Sequence, residues 1–293
     1  MENFLFRQVV ENPARRRRRS FCGWLSGVVG IGLFMVLVAP ASAAVLFDSS
    51  SGSLPSSQGW LYSESGGAAT QGVANGLYTF DTSASAGIRA GNFRTDQLLD
   101  TTTGFTLGLS GLVVSAENHN NTDRAGFSLL FVGSDPTRAL ELAFWEDEVW
   151  VYNYDLVNDF THGTGAALDT GVSRDYALQV QGPRFRLLAD GIQRLKGPLA
   201  DYTPAANPFN PNFSFPRLVY GSSNFLFFGD DTSRADATIA LSHITFDVGP
   251  VPEPGVLATI ALAGTCMLAG RTAGYRGRST EYPRILAPNG FRA

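Results

Sequence analysis

The chain of 293 residues contains little cysteine, little histidine and, across its middle, little positive charge. Its two cysteines, Cys22 and Cys266, both lie in terminal segments, so the middle of the chain can form no disulfide and offers no thiol nucleophile or zinc thiolate. The three histidines, His119, His162 and His243, lack metal-ligand spacing. No serine lies in a nucleophile-elbow sequence, and no phosphate-binding glycine loop occurs. These absences disfavour thiol, serine-hydrolase and nucleotide chemistry.

Basic residues are scarcest in residues 44–250. The two ends, 1–43 and 251–293, hold eleven of the 22 basic residues and four of the 26 acidic ones. Residues 44–250 therefore hold 11 basic and 22 acidic residues, a net charge of −11, although the whole chain carries −4. This balance argues against a nucleic-acid partner, which needs cations to neutralise its phosphates. It is compatible with calcium, with neutral sugars or with a plain soluble surface.

Residues 1–43 are predicted to be a signal peptide. Residues 15–19 are consecutive arginines, and residues 21–38 are apolar apart from Ser26 and several glycines. A small-x-small motif ending at Ala43 then supplies a cleavage site. The alternative is a retained anchor, because this run of 18 residues nearly reaches the roughly 20 needed to span a bilayer. The small residues at the end of the run favour cleavage after Ala43.

The C-terminal segment combines a proline-rich motif, an apolar stretch and an arginine cluster. The motif is Val251-Pro252-Glu253-Pro254, the uncharged stretch is 256–270, and the arginines are Arg271, Arg276 and Arg278. A buried domain helix is the alternative, but such a helix usually shows a polar face and this stretch has none. We therefore predict a hydrophobic helix that engages a membrane. Arginines retained on the cytoplasmic side would leave the preceding domain outside.

Residues 251–278 resemble the PEP-CTERM sorting signal. The resemblance implies recognition by an exosortase-type sorting protease, transient anchoring in the inner membrane, and a final location at the cell surface or in the extracellular matrix. One departure is that the chain continues through residues 279–293, whereas members of this family usually stop soon after the arginines.

Residues 44–250 are predicted to form one all-β domain, an antiparallel β-sandwich (jelly roll) between the signal helix and the C-terminal hydrophobic helix. Apolar and polar residues alternate with a period of two in 105–110 and 176–181. Asp190-Gly191 predicts a tight hairpin turn, and a bulge near Ser242-His243 would place the apolar residues of 239–248 on one face. The proline-rich residues 203–216 are expected to form a loop.

The order of these patterns resembles the concanavalin A-like lectin/glucanase superfamily, particularly its laminin-G-like members. The segments that carry the resemblance are Arg124 to Phe127, Leu140 to Trp145, Tyr176 to Val180, Asp190-Gly191 and Phe228 to Thr232. The resemblance implies a fold rather than an activity.

A hairpin in residues 139–154 carries the candidate binding site. A two-residue turn at Glu146-Asp147 would pair position 143 with 150 and position 141 with 152. One face of the hairpin is then apolar core, and the other face forms an aromatic shelf edged by carboxylates. The candidate carbohydrate-binding residues on this shelf are Glu141, Trp145, Glu148, Trp150 and Tyr152. The alternative is that a second layer or loop covers this face, because exposed paired tryptophans are unusual.

Catalytic and metal roles are weaker hypotheses. In the hairpin register, Glu141 and Glu148 lie about 13 Å apart along the strand at ~3.3 Å per residue, which is too far for a glycosidase pair. Glu146-Asp147-Glu148 lacks the alternate acid spacing of the superfamily's glucanases, so no catalytic residue is assigned. Clustered oxygens could bind calcium at Asn153, Asp155, Asn158 and Asp159, or at Asp230 and Asp231, although acidic turns are more often merely solvated.

The sequence thus predicts an exported, non-catalytic β-sandwich that binds carbohydrate, with extracellular polysaccharide as a candidate partner. A purely structural matrix or coat protein is the alternative, and a glycoside hydrolase is the third possibility. Of the three histidines, His162 in its glycine-flanked loop is the candidate for a functional role, and a structural or solvent-exposed role is the alternative.

Overall fold

The computed structural model describes residues 43–85, 87–155, 159–206 and 219–251. The predicted signal peptide before Ala43, the sorting segment after Val251 and the tail lie outside the described residues. Within the described part of the chain, no helix has the length and apolar content needed to cross a bilayer.

Two antiparallel sheets make up the domain. The first contains β1 (Ala44–Asp48), β3 (Thr70–Ala74), β4 (Leu77–Asp81), β6 (Phe105–His119), β11 (Arg174–Gln181), β12 (Arg184–Ala189), β13 (Ile192–Pro198), β15 (Ala235–Leu241) and β16 (His243–Val248). The second contains β2 (Leu61–Ser65), β5 (Arg89–Arg94), β7 (Phe127–Val132), β8 (Ala139–Phe144), β9 (Glu148–Asp155), β10 (Asp159–Ala167) and β14 (Phe225–Asp230). Short 3-10 helices lie at Ser49–Ser51, Pro55–Gln58 and Thr203–Ala206.

The long strand β6 organises the nine-stranded sheet, whose main path runs β13-β12-β11-β6-β15-β4-β3. β16 also pairs with β6, and β1 pairs with β16. The seven-stranded sheet has the order β10-β9-β8-β7-β14-β5-β2. This arrangement confirms the predicted antiparallel β-sandwich.

The main core lies between the two sheets. Phe105 of β6 packs edge-on against Phe131 of β7 with ring centroids 5.3 Å apart, and Phe144 of β8 meets Tyr176 of β11 at 5.4 Å. Each of these rings is at most 2% exposed. Burying an aromatic side chain contributes roughly 1.5–3 kcal/mol, so these contacts between sheets are a main source of stability.

Two local predictions are confirmed with their expected geometry. Asp190 and Gly191 both have positive φ, 53° and 76°, as the tight turn between β12 and β13 requires. Ser242 also interrupts the strand between β15 and β16, and its amide donates to the Ser110 carbonyl at 2.9 Å. The break lets Leu241 and Ile244 both enter the core despite their opposite parity.

A second apolar layer covers part of the outer face of the seven-stranded sheet. The chain leaves β13 and crosses this face, with Ala200 and Ala139 exchanging backbone hydrogen bonds of 2.8 and 2.9 Å. Tyr202, Ala205 and Tyr220 then pack against side chains that point outward from β7, β8 and β9. The predicted loop in 203–216 therefore begins with a 3-10 helix at Thr203–Ala206, and residues 207–218 lie outside the described residues.

Candidate functional site

The β8–β9 hairpin forms as the sequence predicts. Ala143 pairs with Trp150, and the Trp145 amide donates to the Glu148 carbonyl at 2.8 Å, which closes the turn at Glu146-Asp147. The alternation of side chains follows from this register, because successive residues of a strand point to opposite faces.

The expectation of an open aromatic shelf on this hairpin is wrong. Trp150 is fully buried, Tyr152 is 2% exposed and Glu141 is 1% exposed. The physical reason is the second layer, which places Tyr202 and Tyr220 over this face. The Tyr202 hydroxyl donates to the Tyr152 carbonyl at 2.8 Å, so the cover is hydrogen-bonded to the strand as well as packed on it.

Trp145 and Glu148 flank the turn of the hairpin and lie beside two of the three histidines. The Trp145 ring stacks on His119 with centroids 4.3 Å apart and meets the His162 ring at 5.0 Å. His162 Nε2 lies 3.2 Å from a Glu148 carboxylate oxygen. Because imidazole rings contact the Trp145 indole, it does not offer a free stacking surface to a sugar.

The buried Glu141 belongs to a network of two carboxyl groups and a tyrosine. The Tyr220 hydroxyl donates to Glu141 Oε2 at 2.6 Å and lies 3.4 Å from Asp231 Oδ2. Tyr220 thus lies between Glu141 and Asp231, and each of these carboxyl groups affects the pKa of the other. The sequence assigned these two acids to different sites, and the fold brings them together.

Burial and mutual repulsion govern the protonation of this network. Burial, with the neighbouring Asp231 carboxyl as a second cause, raises the pKa of Glu141 well above its ordinary value. Burial likewise raises the pKa of Asp231. The pKa of Glu141 is raised the more, because the Glu141 hydrogen bond and the Arg124 charge oppose the rise at Asp231, so Glu141 keeps its proton to higher pH and the charge of the pair lies on Asp231.

Asp230 faces a different set of partners from Asp231. Its carboxylate accepts from Thr82 Oγ1 at 2.8 Å and from the Thr232 amide at 3.0 Å, and burial raises its pKa well above the ordinary value. The two neighbouring carboxyls therefore do not converge as a pair of ligands. Among the described residues, no group of three or more His, Cys, Asp or Glu side chains is arranged to hold a metal ion.

The other predicted calcium site falls partly outside the described structure. Asn153 lies on β9, whereas Asn158 and the side chains of Asp155 and Asp159 lie outside the described residues. Calcium binding there stays a prediction.

An open pocket of about 400 Å³ lies on the part of the seven-stranded sheet where β2, β5 and β14 form the floor. It is lined by Ser63, Glu64, Ser65, Arg89, Ala90, Gly91, Phe93, Leu130, Val219, Phe225, Phe227, Asp230 and Asp231. Asp231 thus belongs both to the buried network and to the pocket wall.

Aromatic rings form the pocket floor because of the strand register. Phe93 and Phe225 stack with centroids 5.7 Å apart, and Phe227 pairs with Phe93 across β5 and β14. Gly91 makes room for this floor, since a Cβ there would lie 2.3 Å from the Phe227 ring. Glu64 lies at the edge strand β2 and accepts a hydrogen bond from the Tyr62 hydroxyl at 2.7 Å.

Of the residues that line this pocket, only Asp230 and Asp231 were predicted from the sequence to be functional, and they were assigned to calcium. The alternation of Phe225, Phe227 and Gly229 was a usable signal for one aromatic strand face. Tyr220 gave no signal, because its partner Glu141 lies 79 residues away and no local pattern joins them.

No protein-family model matches the sequence, and no curated protein sequence matches it. Solved structures with a similar fold include a carbohydrate esterase from the Shiga toxin-encoding bacteriophage phi24B, at 15% identity and a TM-score of 0.47, covering 71% of this chain and all of that one. A family 7 alginate lyase matches at 12% identity and a TM-score of 0.37, covering 62% of this chain and 83% of that one. A carbohydrate-binding module from Bacillus subtilis matches at 14% identity and a TM-score of 0.32, covering 64% and 94%. Sequence identities and TM-scores this low do not indicate the function of this chain.

Proposed function

We propose that this protein is an exported, non-catalytic carbohydrate-binding protein of the cell surface or extracellular matrix, and that it binds sugar in the pocket over β2, β5 and β14. The observation that carries the proposal is the pocket itself, which combines an aromatic floor with carboxylates at its wall and rim. Ligand sites typically pair an apolar concave surface with a few placed polar groups.

The floor suits the apolar face of a sugar ring. Phe93, Phe225 and Phe227 present ring surface, and Asp231 and Glu64 supply acceptors for hydroxyl groups at the margin. The volume of about 400 Å³ lies within the roughly 300–1,000 Å³ range of small-molecule sites.

The carboxyl geometry supports binding rather than hydrolysis. Glycosidases hold two carboxyl groups about 5–5.5 Å or 6.5–9.5 Å apart across the scissile bond. Glu141 is 1% exposed and accepts a hydrogen bond from the Tyr220 hydroxyl, which also lies near Asp231. An enclosed Glu141 cannot reach a glycosidic oxygen or an attacking water in the open pocket.

Export rests on the sequence motifs at the two ends. The small-x-small motif that ends at Ala43 directly precedes β1, so cleavage there would release the sandwich without removing any strand. The PEP-CTERM-like segment begins at Val251, three residues after β16 ends at Val248. Expression in a Gram-negative host followed by fractionation and N-terminal sequencing should find the mature chain outside the cytoplasm and beginning at Ala44. A cytoplasmic chain that retains residues 1–43 would contradict export.

Binding is tested by a polysaccharide and glycan screen on the full-length protein in mild detergent, with calcium and with chelator. Phe227→Ala should abolish binding because it removes part of the floor, whereas Trp145→Ala should retain it because Trp145 lies outside the pocket. Loss of binding in Trp145→Ala but not in Phe227→Ala would instead indicate a binding site on the β8–β9 hairpin. A folded wild-type protein that binds no glycan would favour a purely structural role.

A further inference from the structure

The charges around the pocket indicate which class of sugar it would accept. Its lining contains three acidic residues, Glu64, Asp230 and Asp231, against one basic residue, Arg89. Arg89 Nη2 donates to Ser233 Oγ at 3.0 Å, so part of its donor capacity is directed at the protein. Asp230 is engaged with Thr82 and Thr232, which leaves Glu64 and Asp231 as the acids available to a ligand.

Asp231 is held as the charged member of its pair. Its enclosed neighbour Glu141 retains its proton, and the Tyr220 hydroxyl donates to Glu141 at 2.6 Å. Asp231 reaches the pocket wall, where it is partly exposed. Burial raises the pKa of Asp231, and the nearby Arg124 guanidinium opposes that rise and offsets part of the charge, although Arg124 does not line the pocket. A carboxylate at the edge of an apolar floor attracts a cation and repels an anion more strongly than it would in open water.

We infer that the pocket takes an amine-bearing sugar, with the ring against the phenylalanine floor and its ammonium group paired with Asp231, and that it excludes uronate and sulfated sugars. This inference rests on the proposed function and names the ligand class of the same site. The acidity of the whole sandwich, −11 over residues 44–250, acts in the same direction at long range.

The test compares oligosaccharides of one chain length that differ only in the group of interest. Glucosamine oligomers, their N-acetylated counterparts and uronate oligomers are titrated by calorimetry into the full-length protein at neutral pH and moderate salt. We expect the amine series to bind at least about tenfold tighter than the N-acetylated series, a modest share of what like and unlike charges contribute at an interface. The uronate series should not bind measurably.

Three variants locate the effect. Asp231→Asn should reduce the amine preference to less than about threefold, whereas Asp247→Asn, on the other sheet, removes the same charge and should leave the preference unchanged. Glu64→Gln removes the other carboxylate available to the ligand at an exposed position, so it should also reduce the amine preference, though less than Asp231→Asn does, and an unchanged preference would count against the inference even if Asp231→Asn fails to fold.

The outcomes separate the inference from the proposed function. Equal or tighter binding of the N-acetylated or uronate series would overturn the inference and leave carbohydrate binding intact. An amine preference reduced equally by Asp231→Asn and Asp247→Asn would also overturn it, because the preference would then come from overall charge. Absence of binding in all three series would overturn the proposed function as well.

Discussion

Replacing Glu141 with glutamine is expected to change how the stability of the sandwich depends on pH. Burial and the neighbouring Asp231 raise the pKa of Glu141 well above its ordinary value. In the unfolded chain a glutamate titrates near pH ~4.3. Between these two pKa values the folded state holds one more proton than the unfolded state. The stability contribution is therefore complete below the unfolded pKa and is lost as the pH rises through the folded pKa.

The magnitude follows from the proton count. One extra proton in the folded state lowers the free energy of unfolding by about 1.4 kcal/mol for each pH unit in this window. Glutamine has the same shape, can still accept from Tyr220, and cannot titrate. As the pH rises through this window, the free energy of unfolding of Glu141→Gln should therefore increase relative to that of the wild type by up to that amount per pH unit. Because Glu141 and Asp231 titrate as a pair, the difference between the two proteins is the quantity to compare.

Urea denaturation followed by tryptophan fluorescence, from about pH 5 to about pH 9, measures both curves. Glu64→Gln is the matched control, since it makes the same substitution at an exposed residue of β2 and should leave the slope unchanged. Parallel curves for the wild type and Glu141→Gln would refute the reasoning, because they would mean that Glu141 binds no additional proton on folding.

Two further predictions concern the sandwich itself. The hydrogen bonds and charge of Arg94 hold the pKa of Asp96 at about 2, so the contribution of this pair is present above the unfolded pKa and disappears as the pH falls through about 2. Because the Asp96 side chain is 61% exposed, Asp96→Asn should cost at most about 1 kcal/mol at neutral pH in urea denaturation, and a larger loss would show that solvent screens the pair less than assumed. Gly126→Ala should destabilise by about 1–3 kcal/mol, since its Cβ would lie 2.1 Å from the Asp236 carbonyl carbon. Gly72→Ala, whose Cβ would meet nothing closer than 3.8 Å, is its control, and equal thermal midpoints for the two variants would contradict this packing argument.

Local pattern was sufficient for much of the fold. Period-two alternation predicted the strand at 176–181, and Asp190-Gly191 predicted its hairpin turn, because both depend on neighbours in sequence. The register of Ala143 against Trp150 followed from a two-residue turn for the same reason. The order of strands in each sheet depends on distant pairings, such as that of β14 with β5 and β7, and no local pattern specifies these.

The candidate site was harder to predict because its accessibility depends on a crossing far away in the chain. Outward aromatic and acidic residues on β8 and β9 have the composition of a ligand surface. They also have the composition of a polar network under a cover. Tyr202 and Tyr220 decide between the two, and they reach this face only because the chain crosses it after β13.

The same crossing links stability to ligand preference. It buries Glu141 and leaves Asp231 at the border between the covered network and the open pocket. In the wild type, acidification adds protons to a pair that already holds one, so Asp231 loses its charge as the pair becomes fully protonated. In Glu141→Gln the neighbour of Asp231 is neutral, as the protonated Glu141 of the wild type is, and its amide can donate a hydrogen bond in place of the carboxyl proton. The substitution that flattens the pH dependence of stability should therefore leave the preference for amine-bearing sugars in acidic solution close to that of the wild type, which calorimetry at matched pH can measure.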